Sequence, residues 1–106
     1  MRYLMMSKGG GTPDQKLFTE MAAFVQEMSA AGVLLATGGL SPEAIVLTSE
    51  GDEITVTDGP FAEAKEAVAG FALVEVRSKE EAIELGRRFR TIVGDGQSVI
   101  QEVFGP

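Results

Sequence analysis

Asp58-Gly59-Pro60-Phe61-Ala62-Glu63-Ala64-Lys65-Glu66 is the stretch on which the reading of this chain turns. The segment before it, Glu53-Ile54-Thr55-Val56-Thr57, alternates polar and apolar residues. That period of two predicts a strand with Ile54 and Val56 on one face, expected to point inward, and it carries Asp58 onto the same face. Gly59 opens backbone angles closed to other residues, and Pro60 fixes its own φ and lacks an N–H, so the strand is expected to stop and turn. From Ala62 to Glu66 the residues favour about one helical turn, which displays Glu63, Lys65 and Glu66 around the corner. Two readings stay open. Asp58 caps backbone N–H groups of its own turn while Phe61 plugs the core, or the corner contacts a ligand.

Working outward, Ala44 to Thr48 and Glu53 to Thr57 read as a β-hairpin turning at Ser49-Glu50-Gly51-Asp52. Upstream, Val33 to Ala36 reads as a buried strand that runs into Thr37-Gly38-Gly39-Leu40-Ser41-Pro42. The paired glycines mark either a bulge or a place where a ligand approaches the backbone between the hydroxyls of Thr37 and Ser41. Downstream, Gly70 to Arg77 is a strand apolar on both faces, with Phe71 and Leu73 on one side and Ala72, Val74 and Val76 on the other. Residues 2 to 7 form a similar strand, with Leu4 and Met6 on one face and Tyr3 and Met5 on the other.

Two helices complete the pattern. Thr12-Pro13-Asp14-Gln15 offers an N-cap, a proline at the first helical position and a capping-box glutamine, and Leu17, Met21, Phe24, Val25 and Met28 form an apolar stripe closed by Gly32. Ser78-Lys79-Glu80-Glu81 repeats the capping pattern before Ala82, Ile83, Leu85, Gly86 and Phe89. Arg87, Arg88 and Arg90 suit the negative end of that second helix. Ser98 to Phe104 reads as a closing strand. The order strand, helix, strand, hairpin, strand, helix, strand is an α+β, ferredoxin-like split βαβ sheet with an inserted hairpin.

Composition narrows the function. The 106 residues fit one domain spanning 1–106, and 44% apolar with 24% charged residues is an ordinary globular profile. A net charge of -7 repels phosphate backbones and anionic lipid, so neither nucleic acid nor membrane is an expected partner. With no cysteine and no histidine, thiol and imidazole chemistry are absent and no metal site or cofactor is expected. No stretch resembles a secretion signal, and a cytoplasmic address is the expectation.

The nonapeptide at 58–66, followed by Gly70-Phe71, resembles the DGPF-domain branch of the YCII-related (YciI-like) proteins. The opening strand Arg2 to Met6, the Ala31-Gly32-Val33 junction, the Gly38-Gly39 pair and Glu75 extend the likeness. The resemblance implies a ferredoxin-like chain pairing into a dimeric α+β barrel, with a small cleft near the DGPF corner. The His and Asp pair considered an acid–base dyad in some members has no counterpart here, because the chain lacks histidine.

Two helices cover one face of such a sheet, so the other needs a partner. Leaving Tyr3, Met5 and their neighbours wet forgoes roughly 2.5 kcal/mol per hundred square ångströms, which predicts a homodimer. Two functions fit. In the first, an acid–base enzyme of small metabolites uses Asp58 as the catalytic group. Lys65 is then a charge partner or anion anchor, and Tyr3, Thr37, Gly38, Gly39, Ser41, Gly59, Pro60 and Phe61 contact the ligand. In the second, the chain is a non-catalytic small-molecule-binding or accessory module, and the corner only shapes its pocket.

Overall fold

Eight elements follow one another in the computed structural model, which describes residues 1–10, 13–59 and 68–105. They are β1 (Arg2–Gly9), α1 (Gln15–Ala30), β2 (Leu34–Gly39), β3 (Ile45–Glu50), β4 (Glu53–Asp58), β5 (Val68–Glu75), α2 (Lys79–Val93) and β6 (Gly96–Val103). The first, second, fifth and sixth strands form a four-stranded sheet in the order β2-β5-β1-β6, while β3 and β4 form a separate two-stranded sheet. Every pairing is antiparallel. With the hairpin set aside, this is the ferredoxin-like split βαβ arrangement predicted from the element order.

Both helices begin on a side-chain cap. Asp14 accepts the N–H of Leu17 at 2.8 Å and starts α1, so the first helix is capped two residues later than the Thr12-Pro13 pattern suggests. Ser78 accepts the N–H of Glu81 at 3.1 Å, and the Glu81 carboxylate reaches back to the N–H of Arg77 at 3.2 Å. The expected capping box is thus present, displaced by one residue on its return bond. Helix α1 ends as predicted, with Gly32 in the left-handed region at φ +74°. At the other helix end, Arg90 donates to the carbonyl of Gly94 at 2.6 Å, the role expected for a cation at a helix C-terminus.

The core lies between the helices and one face of the large sheet. Tyr3, Met5, Val74 and Val76 meet Met28, Ala82 and Leu85 there. This reverses one expectation: Tyr3 and Met5 are the covered residues, and the face left open carries Leu4 and Met6. Alternation alone cannot say which of two apolar rows lies under the helices. Cross-strand register puts Phe71 and Leu73 beside Met6 and Leu4, and Val99 and Val103 on the same open face.

Two other expectations change. The irregularity in β2 falls between Leu34 and Ala36, not at the glycine pair, which continues in register with Phe71 and Gly70. The hairpin face bearing Ile54, Val56 and Asp58 does not point inward within one chain. Ile54 and Val56 are 66% and 62% exposed, and Ile45 and Leu47 beside them are 68% and 63% exposed. Their register partners are Asp58 opposite Ile45, Val56 opposite Leu47 and Ile54 opposite Ser49, which fixes one apolar row on one face. Gly51 at φ +58° opens the two-residue turn, as a II′ hairpin requires. The radius of gyration of 15.9 Å exceeds the about 13 Å expected for this length, in keeping with an arm that stands away from the body.

Candidate functional site

A hollow of about 440 Å³ lies between α1, α2 and the helix-facing side of the sheet. Its roof is apolar, built from Leu17, Met21, Phe24 and Val25 of α1 and Leu85, Phe89 and Val93 of α2. Its floor is different. Gly9 and Gly10 at the end of β1, Gly38 and Gly39 of β2, and Gly70 of β5 meet there with Met5, Ser7, Thr37 and Ala72. A helix resting on side chains fills the space beneath it, whereas one standing over five glycines leaves a gap. The glycines are also closely fitted: a Cβ on Gly70 would stand 3.1 Å from the carbonyl oxygen of Gly38, and one on Gly38 would stand 3.1 Å from Cε1 of Phe71.

The polar groups of this lining are few and already engaged. Ser7 Oγ shares a hydrogen bond with Ser98 Oγ at 3.3 Å, and Thr37 Oγ1 donates to the carbonyl of Phe71 at 2.9 Å. No carboxylate, lysine or arginine of the described residues lines the hollow. Such a chamber suits a compact apolar molecule with at most one or two hydrogen-bonding atoms, and its volume lies within the range of small-ligand pockets.

The predicted site residues divide into three groups. Thr37, Gly38 and Gly39 come together in the lining. Tyr3 lies in the core, where burial raises its phenol pKa above the ordinary value and the charges of Glu102 and Glu80 raise it further. Ser41 is exposed, and its hydroxyl accepts the N–H of Glu43 at 3.1 Å, a local turn contact. Asp58 is exposed at the end of β4 and does not line the hollow. Gly59, at φ +66°, donates its N–H to the carbonyl of Ala44 at 2.9 Å and so closes the base of the hairpin. Pro60, Phe61 and Lys65 lie outside the described residues.

Sequence reasoning missed Met5, Ser7, Gly9, Gly10 and Gly70 as lining residues. The apolar stripe of α1 was visible, but reading it as core left no room for a gap beneath it. The signal that finds the gap is the register of β2 on β5, which pairs Gly39 with Gly70 and Gly38 with Phe71. Among the described residues no cluster of acidic side chains is placed to hold a metal ion, and no helix is long and apolar enough to cross a membrane.

Comparison with known proteins bears on the family alone. An uncharacterized protein of Rhizobium meliloti (strain 1021) is 34% identical over 76 residues, covering 70% of this chain and 61% of the relative, so the chain spans about three-fifths of that protein's length. The profile of the YCII-related domain matches residues 1–101, and the chain belongs to the YCII-related family.

Proposed function

We propose that this protein is a homodimeric small-molecule-binding module that takes a compact, mainly apolar ligand into the hollow between α1 and the sheet. The observation that carries the reading is the 440 Å³ gap over a glycine floor, in a core whose other contacts are made by well-buried side chains. The hollow is partly open to solvent, so its apolar lining stays in contact with water unless an apolar molecule occupies it, which favours binding of one. The homodimer is supported by the open sheet face, where Leu4, Met6, Phe71, Leu73, Val99 and Val103 share one side with no helix of the described residues above them. A two-fold interface covers such a face on both copies at once.

Thermal unfolding in the presence of indole, p-cresol or octanoate tests the binding reading. A rise in midpoint that is lost in Met21→Trp, whose larger ring fills the chamber, is the expected result. No rise with any apolar probe, or an equal rise in the variant, would overturn it.

An acid–base enzyme using Asp58 is the competing proposal. It gains support from the position of that carboxylate at the end of an apolar row on the hairpin. Chemical conversion of a bound compound by the wild type, absent in Asp58→Asn, would establish it in place of simple binding.

A further inference from the structure

The aromatic part of the chamber lies in its roof. Phe24 of α1 and Phe89 of α2 offer rings to the hollow, and Met5, Met21 and Met28 offer thioethers, which pack favourably against ring edges. Each of the two rings also carries a cation that is not itself part of the lining: the Arg88 guanidinium lies 4.9 Å from the centre of Phe24, and that of Arg90 lies 5.6 Å from the centre of Phe89. A cation draws π density toward itself, which leaves the rest of the ring poorer in electrons and more attractive to an electron-rich aromatic partner.

The floor adds a constraint of shape. Register sets Gly39 opposite Gly70, Gly70 opposite Ser7 and Ser7 opposite Ser98, so one row across the whole sheet carries nothing larger than a hydroxymethyl group. Because side chains are missing from this wall only, the gap under the helices is shallow for its width, and a flat molecule fills it more completely than a puckered one. Polarity narrows the class further. Among the described residues no charged side chain lines the hollow, so an ionised ligand group would enter without a counter-charge. Thr37 Oγ1 already donates its hydrogen to the carbonyl of Phe71 at 2.9 Å, so toward a ligand it acts only as an acceptor.

We infer that the ligand of this hollow is an uncharged, electron-rich aromatic ring bearing one O–H or N–H donor, the chemistry shared by simple phenols and indoles. The ring lies beneath Phe24 and Phe89, and its donor is directed at Thr37 Oγ1. This rests on the binding reading proposed above and gives its ligand a chemical class.

Phenol and cyclohexanol share a skeleton and a hydroxyl but differ in planarity and π electrons, while anisole keeps the ring and lacks the donor. Calorimetric titration of the wild-type protein is expected to show phenol binding roughly 10-fold tighter than either, with octanoate weaker still. In Phe24→Leu and Phe89→Leu the preference for phenol over cyclohexanol should fall toward unity. Arg88→Gln, which leaves both rings in place, should reduce it in part. Thr37→Val should remove the preference for phenol over anisole while leaving that over cyclohexanol.

Each contrary result is decisive. Equal binding of phenol and cyclohexanol, or binding of octanoate alone, would overturn the aromatic class and leave the binding reading standing. Equal binding of phenol and anisole would overturn the donor directed at Thr37. A preference unchanged in the phenylalanine and arginine variants would overturn the cation-backed roof as its source. No binding of any of the four compounds would overturn the hollow as a ligand site and the class with it.

Discussion

Arg88 of α2 donates to the carboxylate of Glu27 of α1 at 2.7 Å, while its guanidinium carbon lies 4.9 Å from the centre of the Phe24 ring. One side chain thus joins the two helices at the solvent edge of the core. Its hydrogen bond, ahead of the coulombic attraction, holds the Glu27 carboxyl below its ordinary pKa, and in return raises that of Arg88.

The sign of the resulting pH dependence follows from the lowered Glu27 pKa. A carboxyl with a depressed folded-state pKa contributes stability above its unfolded value and loses it as pH falls through the folded value. Glu27→Gln is expected to unfold at a lower temperature than wild type at pH 7, with the gap closing on acidification to pH 3. Both partners are substantially solvent-exposed, so added salt should narrow the gap at neutral pH as well. A difference that persists unchanged at low pH would show that the pair is not its source.

Tyr3 is the sole tyrosine of a chain without tryptophan, so alkaline absorbance titration reports one group. Its midpoint is expected above that of the same protein in denaturant, because burial and then the charges of Glu102 and Glu80 disfavour the phenolate. For an acid whose folded pKa is raised, the associated stability is full below the unfolded value near about 10 and declines as pH rises through the folded one. Glu102→Gln should bring the midpoint down. Coincident folded and unfolded titrations would contradict the placement of this ring.

Glycine substitutions on the chamber floor should separate by what they strike. At Gly70 an added methyl meets the Gly38 carbonyl, a fixed part of the sheet, whereas at Gly38 it meets the far edge of the Phe71 ring, which can tilt. Gly70→Ala is expected to cost about 1–3 kcal/mol in denaturant unfolding and Gly38→Ala less than about 1 kcal/mol, with Phe71→Leu relieving the latter. The reverse order would mean that the ring is held more firmly than the backbone.

Removing either helix cap should cost about 1 kcal/mol. Asp14→Ala strips the acceptor from the Leu17 N–H and Ser78→Ala that from the Glu81 N–H. Asp14→Asn and Ser78→Thr, which keep an oxygen in place, should recover most of the loss. Chemical denaturation of the four variants checks both caps.

Much of the fold was legible because its rules are local. The stripe Leu17, Met21, Phe24, Val25, Met28, the Ser78 cap, the Gly32 stop and the period-two strands each follow from residues within one or two turns of one another. What escaped the sequence depends on distant contacts. Whether Tyr3 and Met5 or Leu4 and Met6 lie beneath the helices is decided by packing, since both rows are apolar. The chamber escaped for a related reason: Gly9, Gly38 and Gly70 are about thirty residues apart and become neighbours only through strand register. Of the residues expected to contact a ligand, Thr37, Gly38 and Gly39 lie in the lining of the hollow, where the glycine pair inside a strand drew attention to them, whereas Ser41 is occupied by its own turn.

The separation of the hairpin from the large sheet makes its tip a natural place to insert foreign sequence. Its hydrogen-bonded ladder, from Ile45 opposite Asp58 to Glu50 opposite Glu53, closes on itself. Lengthening or shortening that finger is expected to leave the ferredoxin-like body to fold as before, because among the described residues no ladder bond joins the two, so a tag or epitope grafted at Gly51-Asp52 should be carried without loss of the scaffold.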